Sequence, residues 1–486
     1  MPQRDPGAVP EIAVLPGHGV GPEIMDATLR VMEAAGGRFQ VREVPFPSDP
    51  AKAGEAMEDA VAAARSAGAL LKGPVAGGRS EALRSGLGLY CHVRRATALD
   101  PAVPSRAPGM DVLVIRESEE DVYGGQEQRQ TYDVAQCIKL VTRPAAERFV
   151  RTAFAWARAA GRTRLTCVTK ANVLRLTDGL FHDVFKEIAA ENPDMVADHM
   201  IADAAAAKLV ESPEKFDVIV AQNLYGDILG DLAAQLAGRP ALTPSVRLGV
   251  EAAVFEPVHG PATPLAGKLV ANPTGLLLSG VKLLRFLGQD DPGMRIRDAW
   301  LRTLEDGIHT PDLHRPGESS RRVSTRGFAD AVIERLGEQP RRLDGRELPS
   351  GDLPGGVLSG LPRRAPAPER RRSGLEVVIA DERRDVSELA ETLKRLSPAG
   401  LTLSVILNRS ETVWPGPRSS PRLHTSQWRC RFVAGPDGMA KGAMAELLGR
   451  AARADLDVVR VETLNDYDGR PGYRVEAGAV EAGGVA

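Results

Sequence analysis

The chain has 486 residues, 43% of them hydrophobic and 26% charged, enough for two or three globular domains. Its formal net charge of −2 excludes a global electrostatic pull toward nucleic acid or a membrane surface. The four cysteines, Cys91, Cys137, Cys167 and Cys430, form no CxxC pair, which argues against a disulfide framework or a zinc site and fits a reducing cytosol.

The N-terminus, Met-Pro-Gln-Arg-Asp-Pro-Gly, lacks the apolar stretch of a signal peptide. No apolar run approaches the ~20 residues of a membrane span, so a cytoplasmic protein is expected. Glu11-Ile-Ala-Val-Leu predicts a strand, Pro16 to Glu23 a Gly-rich turn, and Ile24 to Met32 an amphipathic helix. The turn, Gly17-His-Gly-Val-Gly, has G-x-G-x-G spacing instead of G-x-G-x-x-G. No ribose-binding acid follows at the usual distance, so a Rossmann site is weakly supported. A tight turn with ligand-facing backbone stays open. Short strands are predicted at 69–72, 111–115, 165–169 and 217–221. Helical patterns fill 145–160, 177–191, 204–211 and 227–237, and 275–288 reads as a largely buried helix. The alternation predicts an α/β layered architecture.

Between the strands lie residues suited to chemistry. Asp227 and Asp231, in Asn223-Leu-Tyr-Gly-Asp-Ile-Leu-Gly-Asp, stand at i and i+4. Both project from one face if Gly226 opens a helix. With Asp203 upstream, and no Lys or Arg in the motif, such carboxylates suit Mg²⁺ or Mn²⁺. Taken alone, the pair is more often a solvated acidic face. Arg84, Arg94 and Arg116 each stand at the edge of a predicted element, and arginine suits bidentate binding of carboxylates. Tyr123 and Lys170 each follow a strand and would serve proton transfer if a metal or cations lowered their pKa values. His259 ends an apolar stretch before a Gly/Pro turn that could approach a flat ring or a phosphate. Singly, each of these reads as a surface or packing residue.

Composition changes at 338–373, where Pro, Gly and Arg concentrate, and a linker is expected. Beyond it the pattern predicts a strand (375–381), a helix (385–396), strands (401–409 and 427–434), a helix (439–453) and a strand (457–464). That βαββαβ order is ferredoxin-like. The Gly/Ala-rich tail, 477–486, is expected to be flexible.

Read together, residues 11–336 resemble the metal-dependent β-decarboxylating dehydrogenases of the isocitrate and isopropylmalate family. The resemblance rests on ordered motifs: Thr169-Lys-Ala-Asn-Val-Leu-Arg-Leu-Thr-Asp-Gly, the Asp203 segment, Asn223 to Asp231, Glu256-Pro-Val-His-Gly and Ala271-Asn-Pro-Thr. The C-terminal part resembles the domain appended to long, Thermus-type isocitrate dehydrogenases, through Ile406-Leu-Asn-Arg, Trp428-Arg-Cys-Arg-Phe and Glu462-Thr-Leu-Asn-Asp-Tyr-Asp-Gly-Arg-Pro-Gly-Tyr. The resemblance implies a family fold of large and small α/β subdomains, not a Rossmann fold. The expected domains are 1–337 (small subdomain and clasp at about 101–255), the linker 338–373, and an α+β ferredoxin-like domain at 374–476.

The resemblance also implies roles. Asp203, Asp227 and Asp231 would hold Mg²⁺ or Mn²⁺. Ser80, Arg84, Arg94, Arg116 and Asn172 would bind a tricarboxylate, and Tyr123 and Lys170 would move protons. Lys170 and Asp203 would come from the neighbouring subunit of a homodimer. His259, Gly260, Ala262, Asn272 and Arg315 would bind NADP, or alternatively NAD. The implied reaction is oxidative decarboxylation of isocitrate to 2-oxoglutarate and CO₂. The alternatives are another 2-hydroxy acid such as 3-isopropylmalate, and a non-catalytic regulatory paralogue.

Four departures bear on this. His18 stands where the family has an acid. The loop from Gly77 to Arg84 is short and lacks the asparagine of isocitrate-specific members. Arg95 replaces a usual proline. Pro264-Leu265 replaces both the Asp of NAD-preferring and the Lys-Tyr of NADP-preferring members.

Overall fold

The computed structural model describes residues 8–47, 53–75, 80–343, 367–382, 385–416 and 424–476. The chain divides into two units, Met1–Gly124 with Lys139–Pro362, and Gly125–Ile138 with Arg363–Ala486.

The first unit opens with β1 (Glu11–Leu15), α1 (Gly21–Ala34), β2 (Gln40–Glu43), α2 (Ala53–Ala67), β3 (Ala69–Lys72), α3 (Ser80–Gly86), β4 (Leu89–Thr97) and β5 (Asp111–Glu117). A hairpin of β6 (Glu127–Thr131) and β7 (Val134–Cys137) belongs to the second unit. The first unit resumes with α4 (Arg143–Ala159), β8 (Arg164–Thr169), α5 (Thr177–Ala190), β9 (Val196–Ile201), α6 (Ala202–Glu211), β10 (Val218–Ala221) and α7 (Asn223–Leu236). It continues through β11 (Pro244–Gly249), β12 (Ala253–Pro257), α8 (Thr274–Phe286), α9 (Asp290–Glu305), the short β13 (Ile308–His309) and β14 (Arg321–Arg322), and α10 (Thr325–Glu334).

Ten strands form one mixed sheet in the order β2-β1-β3-β12-β11-β4-β5-β10-β8-β9. Its two wings are parallel, and β12, β11, β4 and β5 join them as an antiparallel centre. The parallel strands β3 and β10 are buried throughout, which explains their unbroken apolar runs. Helices cover both faces, giving the α/β architecture expected. The helix predicted at 24–32 begins earlier, at Gly21, because Pro22 suits its first turn.

One start differs more instructively. Gly226 does not open α7, which begins at Asn223. No local side chain caps it; instead Asp121 reaches across from the loop after β5, and its Oδ2 accepts from the Leu224 amide at 2.9 Å. A cap supplied from 103 residues away leaves no mark in the local pattern.

The second unit holds β15 (Arg370–Ala380), α11 (Val386–Leu396), β16 (Leu401–Asn408), β17 (Glu411–Trp414), β18 (Gln427–Ala434), α12 (Ala443–Arg453), β19 (Asp457–Tyr467) and β20 (Arg470–Pro471). Its antiparallel sheet runs β17-β16-β18-β15-β19-β20, whose inner four strands have the ferredoxin-like order. Trp428, Phe432, Leu375 and Leu447 pack in its core. The strand β15 starts at Arg370, inside the segment expected as linker; residues 344–366 and the tail from 477 lie outside the described residues. The hairpin β6–β7, assigned by sequence to the catalytic part, groups with this unit because its polar side chains bond there. Ser426 Oγ donates to Asp133 at 2.7 Å, and Gln136 bonds both Gln427 and Arg460.

Candidate active site

The register of the antiparallel centre assembles the site. His92 on β4 lies opposite Arg116 on β5 and Arg247 on β11, and Arg94 lies opposite Ser245, itself opposite Glu256. Side chains at i and i+2 share a face, so all six project to one side of the sheet. Helix α7 packs on that side through Gly226 and Gly230. A Cβ at Gly226 would meet the Cβ and Cγ of Arg116 at 2.7 Å, and one at Gly230 the Nη1 of Arg94 at 3.0 Å. The glycines let both guanidinium stems pass under the helix and reach Asp227 and Asp231, one residue along.

Asp227 is the hub. Its Oδ1 accepts from Arg116 Nη1 and, at 3.3 Å, from Arg94 Nη2, while Oδ2 accepts from the Tyr123 hydroxyl at 2.7 Å. Asp231 Oδ1 accepts from Arg94 Nη1 at 2.6 Å. Burial favours the neutral Asp227 carboxyl, but Arg116, Tyr123 and Arg94 outweigh it and hold its pKa below the usual range. Burial also draws the Arg116 guanidinium down to about 10 against the pull of Asp227. Asn223 Oδ1 takes two further bonds from Arg116, at 2.8 and 2.6 Å, fixing its plane.

Two points are added to the sequence reading here. The aspartates are not uncompensated, because arginines from β4 and β5 reach them from outside the motif. Nor is the Tyr123 pKa lowered: burial and the hydrogen bond to Asp227 raise it, so the phenol keeps its proton.

Lys170 and Asp203 stand apart from this cluster. They follow the neighbouring strands β8 and β9, and Lys170 Nζ binds Asp203 directly. That hydrogen bond lowers the exposed Asp203 carboxyl pKa. Strand β9 lies two places from β10, roughly 10 Å across the sheet. Among the described residues no group of three or more His, Cys, Asp or Glu is placed to hold a metal ion.

A buried network ties both clusters to the scaffold. Lys139 Nζ lies 3.3 Å from Asp121 and 2.8 Å from Asp178, two carboxylates almost wholly buried. Asp121 caps α7, and Asp178 Oδ2 accepts from the Lys170 amide at 2.6 Å. Sequence reading gave no role to Lys139, Asp121 or Asp178, although Asp178 lies in the motif that follows Thr169 and heads α5.

Of the other predicted substrate residues, Arg84 is committed within the chain, to Glu81 and to the carbonyls of Ser118 (3.0 Å), Glu119 (3.2 Å) and Tyr123 (2.7 Å). Asn172 is exposed in the turn after β8. The side chain of Ser80 and the loop 76–79 lie outside the described residues. A second buried cluster also escaped the sequence reading: Glu256 binds Lys72 and Arg247 beneath the site. His92 beside it has no hydrogen-bond partner on either ring nitrogen. Burial, then Arg247, Arg94, Arg116 and Lys72, push its pKa far down and keep the ring neutral.

The predicted cofactor residues also belong to the first unit. In the glycine turn the His18 amide donates to Pro74 O (2.8 Å) and the Val20 amide to Pro261 O (2.9 Å). Gly19 is required because a Cβ would lie 2.0 Å from Pro261 O. The His18 ring stacks edge-on against Phe46, centroids 4.5 Å apart. The 259–261 loop is thereby seated on the turn. His259 Nδ1 pairs with Gly260 O at 2.9 Å, while its buried Nε2 has no partner. Ala262 adopts a left-handed φ of 43°. Asn272 Nδ2 donates to Asp312 at 3.2 Å, and Arg315 pairs with Glu318.

Comparisons with known proteins cover nearly the whole chain. The family described as isocitrate/isopropylmalate dehydrogenase matches residues 11–332, and that described as bacterial isocitrate dehydrogenase, C-terminal domain, matches 370–479. Isocitrate dehydrogenase [NADP] of Thermus thermophilus is 36% identical, covering 95% of this chain and 94% of its own. The 3-isopropylmalate dehydrogenase of Archaeoglobus fulgidus is 39% identical, over 62% of this chain and 94% of its own. The crystal structure of the TT0538 protein from Thermus thermophilus superposes with a TM-score of 0.88 at 35% identity, over 96% of both chains.

Proposed function

The chain belongs to the isocitrate/isopropylmalate dehydrogenase family, and from that premise we propose that it oxidises and decarboxylates isocitrate to 2-oxoglutarate and CO₂ while reducing NADP. The observation that carries this reading is the convergence of Arg94, Arg116 and the Tyr123 hydroxyl on Asp227. Likeness to an NADP isocitrate dehydrogenase through the C-terminal domain favours isocitrate over 3-isopropylmalate, since the isopropylmalate relative matches only 62% of the chain.

The donor set fits Mg²⁺ or Mn²⁺: Asp227 and Asp231 offer hard carboxylate oxygens one helical turn apart. Such a cation would lower the substrate hydroxyl pKa and stabilise the enolate left when CO₂ departs. Asp227 and Asp231 would then exchange their arginine partners for the metal. Arg94 and Arg116, released, would take up substrate carboxylates, so charge stays balanced in both states. Tyr123, kept protonated by its surroundings, would give its proton to the enolate carbon. Lys170 and Asp203, separate from Asp227 in one chain, would serve the site of the second subunit in a homodimer, Lys170 accepting the hydroxyl proton. Arg84 and Asn172 would complete the substrate shell, with Ser80 as a further contact. His259, Gly260, Ala262 and Asn272 would hold the adenosine end of the coenzyme. The acid that repels a 2′-phosphate is replaced by Pro264, and Arg315 would bind that phosphate.

Asp227→Asn tests this reading. The variant should keep its circular dichroism spectrum and lose roughly a hundredfold or more in kcat with Mg²⁺, together with calorimetrically measured Mn²⁺ affinity. Unchanged Mn²⁺ affinity would refute the site. Turnover of isopropylmalate but not isocitrate by the wild-type protein would refute the substrate.

A further inference from the structure

The sheet carries a second polar centre on the side away from α7. Side chains alternate along β4, so Arg95 leaves the sheet opposite Arg94. A cavity of about 340 Å³ lies there, between the sheet and helices α8 and α9. Leu278, Val281, Trp300, Leu301 and Met110 form its apolar walls. Five cations line it, Arg95, Arg239, Lys282, Arg297 and Arg342, against two carboxylates, Asp100 and Asp111.

Both carboxylates are already engaged. Arg95 binds Asp111 through Nε and Nη2 at 2.8 and 2.9 Å, and Arg162 adds a third contact at 2.8 Å. Asp100 accepts from the amide and hydroxyl of Ser105, at 3.1 and 2.5 Å. Lys282, Arg239 and Arg342 have no side-chain hydrogen bond or ion pair among the described residues. Lys282 is the inner one, half-buried on α8. Burial draws its ammonium down to about 7; Arg95, Arg285 and Arg162 push the same way, and Asp111 opposes them. A cation held without a partner against apolar walls carries a desolvation cost that a bound anion would relieve.

We propose that this cavity is a binding site for a small organic anion, an acidic head on an apolar body. Lys282 is its primary contact, Arg239 and Arg342 close around the head, and Trp300 and Leu278 face the body. The site uses none of the residues given roles in the reaction above. It adjoins them through one peptide bond, between Arg94 and Arg95.

Calorimetry on the full-length protein tests the site, with phenyl phosphate as probe and inorganic phosphate and benzoate as comparison arms. Phenyl phosphate should bind about tenfold or more tightly than inorganic phosphate, because only it fills the apolar walls. Benzoate binding in place of phenyl phosphate would assign a carboxylate head to the same site. Lys282→Gln should weaken binding of the preferred probe about tenfold or more, with a Tm no lower than wild type, since it removes an unpaired charge. Lys282→Arg should restore binding. Asp227→Asn, at the other side of the sheet, should bind as wild type, which separates this site from the proposed reaction. Unchanged binding in Lys282→Gln, loss of binding in Asp227→Asn, or no binding of phenyl phosphate or benzoate to the wild-type protein at millimolar concentration would each overturn the proposal.

Discussion

Glu256→Gln probes the charged cluster under the site. Glu256, next to last in β12, has 7% of its side chain exposed and lies 2.5 Å from Lys72 Nζ, bonded also to Arg247 Nε. Burial raises its carboxyl pKa, but Lys72 and Arg247 more than offset this and hold it at about 2, below the ordinary 4.5. That difference amounts to about 3 kcal/mol in favour of the ionised, folded form at neutral pH. The folded value lies below the unfolded one, so the stabilisation is present above pH 4.5 and is lost as pH falls toward 2. Glu256→Gln leaves Lys72, 5% exposed, and Arg247 facing a neutral amide, as when one partner of a buried ion pair is removed. Urea unfolding, followed by tryptophan fluorescence, should show the variant less stable by about 3 kcal/mol at pH 7, with the gap closing below about pH 4. A loss under about 1 kcal/mol at pH 7, or a gap independent of pH, would refute the reasoning.

Gly226→Ala sets helix propensity against packing. In an open helix the change would stabilise by about 1 kcal/mol, but here the new methyl meets Arg116 at 2.7 Å and pushes α7, with Asp227, off the sheet. Steady-state kinetics should show kcat down by about tenfold or more; a more stable variant of full activity would contradict the packing argument. Lys139→Met should cost about 3–5 kcal/mol in unfolding free energy by stranding Asp121 and Asp178, and should lower kcat more than it changes KM. Lys139→Arg should recover part of both, and a variant indistinguishable from wild type would remove Lys139 from its bridging position.

The periodic elements were legible in the sequence because local chemistry determines them. The apolar runs of β3 and β10 and the amphipathic stripes of α4 and α5 appear close to where their patterns place them. The ferredoxin-like order was legible for the same reason. Motif order located the residues around Asp227, but not their partners. Arg94 and Arg116 reach the aspartates only through cross-strand register and the gap left by two glycines, neither of which a linear pattern encodes. The cap on α7, the Lys139 bridge and the Glu256 cluster join residues 9 to 184 positions apart. The glycine turn after β1, left open by the sequence, has its glycines in close contact with Pro74 and Pro261, residues that a linear pattern does not place beside it.

Two interleaved doublets on α7, glycines at 226 and 230 and aspartates at 227 and 231, make the helix intolerant of changes in length. Inserting or deleting one residue between Asn223 and Asp231 would rotate the rest of the helix by about 100°. The carboxylates would swing off the arginines, and side chains would enter the gap that Gly226 and Gly230 keep open. A substitution at Ile228, exposed in the single chain, leaves this spacing intact. In a lineage of such chains, this stretch would change by replacement but hardly ever by gain or loss of residues. A designer would treat the residue count of α7 as fixed.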